Sequence, residues 1–111
     1  LSNMQTLSSS HAVNIIQEPD VLIVKSPAET VTLHCKHNDN TQLVMLWYRQ
    51  MNSKGMTLVA FSYGSGDIQY EDGFKGNFTM TRLDTLQSTL KINRIKPEDT
   101  GVYICASSMT H

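Results

Sequence analysis

Three residues of types that bind zinc, His34, Cys35 and His37, lie close together in the first half of the chain. Two of them belong to a run, residues 30–35, in which polar and apolar residues alternate, and this pattern predicts a β-strand. Adjacent side chains on a strand point to opposite faces, so His34 would face away from Cys35. Because Cys105 is available to oxidise with Cys35, the cluster does not favour zinc, and we predict no metal and no cofactor.

Acidic and hydroxyl residues also occur in adjacent pairs that could serve acid–base or nucleophilic chemistry. The pairs are Glu71-Asp72, Glu98-Asp99 and Ser107-Ser108. Adjacent side chains on a strand or turn diverge, and solvated turns account for both acidic pairs. No motif places a base near the serines, and no glycine-rich phosphate loop is present. We therefore predict that the chain is not an enzyme.

The two cysteines of the chain, Cys35 and Cys105, are 70 positions apart. If they are bridged, the chain-entropy model gives roughly 4 kcal/mol of stabilisation. That is a large share of the total stability of a small domain, which is ~5–15 kcal/mol. A single long-range disulfide would indicate an oxidising compartment, so the chain would be secreted or would lie outside the cell surface.

Length and composition narrow the function classes further. The chain has 111 residues, of which 40% are hydrophobic and 17% charged, and its formal net charge is −1. These values indicate one globular domain, and the balanced charge does not favour a nucleic-acid partner. No apolar run approaches the roughly 18 residues of a membrane helix, so we predict no membrane contact by this segment itself.

Short runs with strand character, separated by turn residues, fill most of the chain. Turn signals recur roughly every 8–12 residues and no helical period is sustained, which indicates an all-β, two-sheet antiparallel sandwich. The predicted strands are residues 14–17, 21–24, 30–35, 43–50, 56–63, 68–70, 77–82, 88–93 and 101–106. The polar residues 36–42 are predicted to form a loop.

Four residues would lie together between the two sheets of such a sandwich. Cys35 and Cys105, on inward positions of opposing sheets, could span the gap of about 10 Å between the sheets, and Trp47 could pack against the bridge. Tyr103 shares the inward parity of Cys105, so its hydroxyl could bond back to the turn before the strand.

These residues occur in motifs that resemble those of an immunoglobulin variable-type domain, over about residues 14–108. The matching motifs are Leu33-His34-Cys35, Trp47-Tyr48-Arg49-Gln50 and Pro97-Glu98-Asp99-Thr100-Gly101-Val102-Tyr103-Ile104-Cys105. Two further stretches, Phe61-Ser62-Tyr63-Gly64 and Cys105-Ala106-Ser107-Ser108, are similar to T-cell receptor β variable segments. The sequence stops at His111 before a Phe-Gly-X-Gly motif, so we expect the final, joining-segment strand of the sandwich to be missing.

The resemblance implies a domain arrangement, a disulfide and a core. Residues 14–111 would form the immunoglobulin V-set domain, and residues 1–13 a flexible N-terminal segment that could be a signal-peptide remnant. The disulfide would join Cys35 to Cys105. The core would include Leu33, Trp47, Leu90 and Tyr103.

Asn77 is a candidate glycosylation site and also occupies a position where the family often has an arginine. It begins an Asn-Phe-Thr sequence, which makes it a candidate for N-glycosylation. It also stands where variable-type domains often carry an arginine that pairs with the aspartate matching Asp99. We therefore expect Lys75 or Arg82 to pair with Asp99 instead.

Strand alternation predicts an apolar surface on the outside of one sheet. Because Trp47, Tyr103 and Cys105 would point inward, their neighbours would point outward, where a lone soluble domain would carry polar residues. Either a second variable domain or the missing last strand could cover this surface, and we favour pairing. The resemblance implies a T-cell receptor α-chain variable domain as partner. The residues predicted near the seam are Tyr48, Gln50, Met56, Leu58 and Ile104.

Loops after three of the predicted strands would meet at one end of the sandwich and match the three complementarity loops of the family. Their polar and tyrosine-containing composition suits adaptable hydrogen bonding with a ligand. The predicted antigen-contact residues are Asn38, Asp39, Asn40, Thr41, Tyr63, Gly64, Ser65, Gly66, Ser107, Ser108 and Met109.

The resemblance therefore implies a T-cell receptor β variable domain that binds a peptide displayed by a major histocompatibility (MHC) molecule, together with an α-chain variable domain. Such a domain would lie at the extracellular face of the plasma membrane, and signalling subunits would be reached through regions outside this segment. The alternative is another V-set receptor, such as an immunoglobulin light chain or an innate immune or adhesion receptor.

Overall fold

Ten β-strands and one 3₁₀ turn form the regular structure of the described residues. The structure, a computed structural model, describes residues 3–7, 13–18, 21–22, 30–51 and 55–109. The strands are β1 (Asn3–Leu7), β2 (Val13–Glu18), β3 (Val21–Leu22), β4 (Val31–His37), β5 (Val44–Gln50), β6 (Met56–Tyr63), β7 (Ile68–Tyr70), β8 (Phe78–Asp84), β9 (Gln87–Ile92) and β10 (Gly101–Ser108). The 3₁₀ turn, Pro97–Asp99, precedes β10.

The strands form two antiparallel sheets, with orders β1-β2-β4-β9-β8 and β3-β10-β5-β6-β7. This confirms the predicted all-β, two-sheet sandwich. At the edge of the second sheet, β3 pairs with β10 only at Gly101 and Val102, whereas β5 pairs with β10 as far as Ser108. The described part of β3 therefore lies beside the start of β10.

The N-terminal part of the chain contributes an edge strand. β1 pairs with β2 from Asn3 opposite Gln17 to Leu7 opposite Val13. Part of the segment predicted to be flexible, residues 1–13, therefore forms the edge strand of the first sheet. The division of the chain at residue 14 stays a prediction.

Inward residues of both sheets form one core around the disulfide. Cys35 of β4 and Cys105 of β10 are bonded, with their Cα atoms 6.4 Å apart. Trp47 is fully buried, and its indole N–H donates a hydrogen bond of 3.1 Å to Ser88 Oγ in the other sheet. The four predicted core residues have no exposed surface: Leu33, Trp47, Leu90 and Tyr103.

β4 is longer than the sequence predicts. The expected loop over residues 36–42 is wrong at its start, because β4 continues to His37 and keeps its alternation of buried and exposed side chains. Polar residue types suggested a loop, but the His37 ring is buried and hydrogen-bonded. Its position on the inner face shows that a polar side chain can occupy a core position when partners are present.

At the end of β10 nearest the 3₁₀ turn, Asp99 pairs with Arg49 at 3.6 Å. The expectation that Lys75 or Arg82 would take this role is wrong. The reason is the strand register: Arg49 lies opposite Tyr103 at the start of β10, whereas Arg82 lies towards the far end of β8. The Tyr103 hydroxyl also donates a 2.6 Å hydrogen bond to the carbonyl oxygen of Asp99, which is the predicted bond back to the preceding turn.

A bulge between β5 and β6 sets which side chains face outward. Trp47 lies opposite Ala60, but Tyr48 lies opposite Leu58, so Val59 is an extra residue. Val59 and Ala60 are consequently both fully buried. Beyond the bulge, alternation resumes.

Candidate functional site

Three loops meet at one end of the sandwich, which we call the loop end. It consists of residues 38–43, 63–67 and 107–109, together with the β8–β9 turn at 84–86. Val44, the first residue of β5, pairs with Tyr63 at the end of β6 and with Ser108 at the end of β10. At the end of β4, the main-chain N–H of His37 donates a 2.9 Å hydrogen bond to the carbonyl oxygen of Leu86. The antiparallel register therefore gathers segments that are far apart in the sequence.

Most of the residues predicted to contact antigen are accessible at this end. The exposed ones are Asn38, Asn40, Thr41, Tyr63, Ser65, Gly66 and Met109, and the half-buried ones are Asp39, Gly64 and Ser108. Ser107 differs, because it is buried and its hydroxyl donates a 3.0 Å hydrogen bond to Gln42 Oε1. Its inward parity on β10 makes it a support for the first loop, and its role as an antigen contact stays a prediction.

Local hydrogen bonds define the shape of the first two loops. In the first, Asp39 Oδ1 accepts from the N–H and the hydroxyl of Thr41, at 2.9 and 2.6 Å. In the second, Gly64 has φ +63°, a left-handed conformation that glycine adopts without steric cost. The Gly64 N–H donates to the carbonyl oxygen of Leu43 at 2.6 Å and so ties the second loop to the first.

A cluster of buried polar side chains lies beneath the loop end. Seven of the described residues are buried and polar or charged, and five of them belong to this polar cluster. Its members are His37, Gln42, Ser62, Arg82 and Ser107. Among the described residues, no buried side-chain nitrogen or oxygen lacks a hydrogen-bond partner. The cluster is therefore a satisfied network, of the kind that fixes one arrangement of a core.

Arg82 is the centre of the polar cluster. Its guanidinium donates hydrogen bonds to six main-chain carbonyl oxygens, those of Gln42 (3.3 Å), Leu43 (3.0 Å), Ser62 (3.1 Å), Gly64 (3.0 Å), Asp84 (2.9 Å) and Thr85 (2.8 Å). Burial lowers the pKa of Arg82, although the group remains charged at neutral pH. Among the described side chains, no carboxylate forms an ion pair with it. Carbonyl oxygens are thus its direct hydrogen-bond partners, and the Asp84 carboxylate stabilises the charge at longer range.

His37 and Arg82 form hydrogen bonds to the same acceptor, the carbonyl oxygen of Thr85. The Nε2 atom of His37 lies 2.8 Å from the carbonyl oxygen of Thr85, and its Nδ1 accepts a hydrogen bond from the Asp39 N–H at 3.2 Å. Since a carbonyl can only accept and an amide N–H can only donate, these contacts require the neutral tautomer with a proton on Nε2. The pKa of His37 is lowered, mainly by burial and also by the Arg82 charge, although the hydrogen bond to Thr85 and the charges of Asp39 and Asp84 act in the opposite direction.

Sequence reasoning did not connect Arg82 with the loops, and it placed His37 in the first loop rather than on the buried face of β4 beneath it. The available signal was parity: Phe78, Met80 and Arg82 alternate with exposed residues on β8, so the arginine continues a buried face. A charged side chain in that position must meet polar groups. Which groups it meets depends on loops that the alternation of a single strand does not describe.

The second candidate site is the outer face, which is the solvent side of β10, β5 and β6. Its residues form three cross-strand rows: Val102 with Gln50 and Met56, Ile104 with Tyr48 and Leu58, and Ala106 with Leu46 and Phe61. Met56 is 51% exposed and the others are half-buried. The structure thus brings the five residues predicted at the partner seam into two adjacent rows. Their role in pairing stays a prediction.

Asn77, the predicted glycosylation site, is exposed next to the start of β8. It lies at the opposite end of the sandwich from the loops, because its carbonyl oxygen accepts from the N–H of Asn93, just beyond the end of β9. Within the described part of the chain, no three His, Cys, Asp or Glu side chains are grouped so that they could hold a metal ion. The same part contains no helix that is long and apolar enough to cross a membrane.

A two-sheet sandwich with a Cys–Trp–Cys core, a tyrosine bonded to the turn before its strand, and loops gathered at one end defines a variable-type immunoglobulin domain. The immunoglobulin V-set domain family matches residues 17–111, and the chain belongs to this family. Within it, the chain is similar to T-cell receptor β variable domains. It is 31% identical to human T cell receptor beta variable 29-1 over 101 residues, which cover 90% of this chain and 89% of the relative.

A comparison with solved structures also indicates similarity to T-cell receptors. The chain matches one from the structure described as "Structural basis of T cell specificity and activation by the bacterial superantigen toxic shock syndrome toxin-1". The TM-score is 0.77 and the identity 32%, over 86% of this chain and 80% of the other. These likenesses support a receptor variable domain of the class that takes part in antigen recognition.

Proposed function

We propose that this chain is the variable domain of a T-cell receptor β chain, which binds a peptide–MHC complex together with an α-chain variable domain. The observation that carries the proposal is that the loop end and the apolar outer face share β5, β6 and β10. A variable domain docked on the outer face would therefore hold its own loops beside these loops. Binding rather than catalysis is the activity that this arrangement serves.

The outer face supports pairing because its rows are apolar at their centre. Ile104, Tyr48 and Leu58 form the middle row, with Ala106, Leu46 and Phe61 beside it. Burying such a surface against a partner gains roughly 25 cal/mol per Å² of apolar area. Gln50 lies at one side of the patch and offers an amide that a matching side chain could meet.

The loop end supports recognition because it combines exposed polar groups with a defined backbone. Tyr63 is 49% exposed and Met109 53% exposed, on the second and third loops. Tyrosine offers contact area at low cost in conformational entropy. The hydrogen bonds of Asp39 and Gly64 hold the first two loops in one shape before any ligand arrives.

The proposal places the domain at the extracellular face of the plasma membrane, where a disulfide is maintained. Signalling subunits would be engaged through regions outside this segment. The N-glycosylation predicted at Asn77 is compatible with this location, because that residue is remote from both candidate surfaces.

Pairing is tested with the full β chain that contains this domain, coexpressed with α chains of the same organism in cells without their own receptor. We expect Ile104→Asp to reduce the surface heterodimer at least ten-fold. The control is Leu83→Asp, on the outside of the other sheet, where Leu83 is 58% exposed. Mass mapping of the Cys35–Cys105 disulfide in intracellular chains reports folding separately. Equal surface levels for the two variants would contradict the proposed interface.

Recognition is tested by selecting a displayed peptide–MHC library against the wild-type heterodimer. We expect at least one complex to be enriched, and we expect Tyr63→Ala to weaken its binding at least ten-fold. The same substitution at Tyr48, on the outer face, should affect assembly rather than the affinity of the assembled receptor. Failure to enrich any complex, or binding that is indifferent to Tyr63, would contradict antigen recognition through the loop end.

A further inference from the structure

Arg82 connects three loop-end segments through hydrogen bonds from its one side chain. Two of its acceptors, the carbonyl oxygens of Gln42 and Leu43, belong to the end of the first loop. Two more belong to the end of β6 (Ser62) and to the second loop (Gly64), and those of Asp84 and Thr85 lie in the β8–β9 turn. One buried side chain therefore bonds to all three segments at once.

The guanidinium is suited to this position by its shape. It is planar and carries five N–H groups in a fixed fork, so its acceptors must keep fixed positions relative to one another. Six carbonyl acceptors at 2.8–3.3 Å occupy all five N–H groups, because the two hydrogens of Nη1 are shared among Leu43, Ser62 and Gly64. A lysine ammonium has only three donors on a flexible stem and cannot hold the same set. The arrangement therefore depends on arginine rather than on positive charge alone.

The remaining members of the polar cluster extend the connection. His37 donates to the same Thr85 carbonyl oxygen that Arg82 contacts. Ser107, on β10 just before the third loop, donates to the side-chain oxygen of Gln42, and the main-chain carbonyl oxygen of Gln42 accepts from Arg82. The third loop is thus joined to the network through one further hydrogen bond.

We propose that Arg82 is a positioning residue for recognition, which sets the relative placement of the first and second loops and the β8–β9 turn, and through Gln42 that of the third loop. This inference rests on the proposed function, since it assigns the residue that shapes the proposed antigen-binding surface. Arg82 is itself buried, so under this proposal it acts through the loops that it holds rather than by contacting the ligand.

The matched experiment compares Arg82→Lys with Arg49→Lys in the receptor heterodimer. Arg49 is an apt control because it lies at the other end of the sandwich, pairs with Asp99, and stacks on the ring of Phe74 at 5.0 Å. The first readout is hydrogen exchange of loop-end amides, above all those of Gly64 and Gln42. We expect both to exchange at least ten-fold faster in Arg82→Lys and to be unchanged in Arg49→Lys.

The second readout is binding to a peptide–MHC complex enriched against the wild-type receptor. We expect Arg82→Lys to weaken it at least ten-fold, through loops that have lost their common support, and Arg49→Lys to weaken it less than two-fold. Loop-end exchange that is no faster in Arg82→Lys than in Arg49→Lys would overturn the inference.

Two further outcomes separate the inference from the proposed function. If the wild-type receptor enriches no complex, the proposed function fails, while the exchange measurement still decides the role of Arg82. If Arg82→Lys does not fold, Arg82→Gln is measured in the same way. Failure of both to fold, with Arg49→Lys folded, would overturn the inference, because Arg82 would then be required for the fold rather than for loop placement.

Discussion

Removing the disulfide is the perturbation whose cost follows most directly from the fold. Cys35 and Cys105 close a loop with a sequence separation of 70. The chain-entropy model gives about 4.4 kcal/mol for a loop of that length at 25 °C. For a domain of 111 residues this corresponds to a fall in Tm of roughly 15–20 °C. We therefore expect the double variant Cys35→Ala, Cys105→Ala to lose at least about 4 kcal/mol of unfolding free energy.

Urea unfolding followed by circular dichroism measures this loss, with the oxidised wild type as reference. The entropy argument also predicts a larger m-value, because an unfolded chain without the bridge exposes more surface. Met45→Ala is the control: Met45 is fully buried, so its truncation should cost roughly 2–5 kcal/mol without changing m. A loss below about 2 kcal/mol, or an unchanged m-value, would refute the reasoning that the bridge acts by restricting the unfolded chain.

Three other outcomes are expected. The lowered pKa of His37 means that the unfolded chain binds a proton first as the pH falls. The stability that depends on neutral His37 should be complete above about pH 6.5 and lost below it, by at most ~1.4 kcal/mol per pH unit. Urea titrations at several pH values should show that the unfolding free energy of His37→Gln depends less steeply on pH than that of the wild type. Secretion from eukaryotic cells should give a mass that falls on glycosidase treatment, and Asn77→Gln should abolish this change while Thr79→Ser keeps it. Replacing Arg49 by Met should cost roughly 1–3 kcal/mol of unfolding free energy, since Asp99 is left buried without its cation; a change within about 0.5 kcal/mol would place this pair among weak surface ion pairs.

The core could be predicted because it depends on a period of two along single strands. Leu33 and Cys35 share one parity on β4, and Tyr103 and Cys105 share one on β10, so each pair had to face inward together. Trp47 follows the same logic on β5. Such patterns are local, and a one-residue error would turn every apolar side chain to solvent.

Contacts between distant segments could not be predicted in the same way. The Arg49–Asp99 pair depends on the register of β5 against β10, and the partners of Arg82 depend on the course of two loops and a turn. The buried position of His37 was hidden by its residue type, since its partner is a main-chain carbonyl of the β8–β9 turn, which has no sequence signature. The partners of Arg49, Arg82 and His37 therefore follow from strand register and from the course of the loops, and not from the alternation along one strand.

The bulge between Trp47 and Tyr48 explains how one sheet can contribute to the disulfide core, to the apolar outer face and to the loop end. In a regular strand, Leu58 and Phe61 would face opposite sides, because three positions separate them. The extra residue shifts the alternation by one position, so that Leu58 and Phe61 both lie on the outer face while Val59 and Ala60 are buried in the core. The same strands then direct the disulfide inward, the apolar rows outward and the loops towards one end. Under the proposed pairing, a partner on the outer face must therefore hold its own loops beside this loop end, and joint recognition follows from strand geometry.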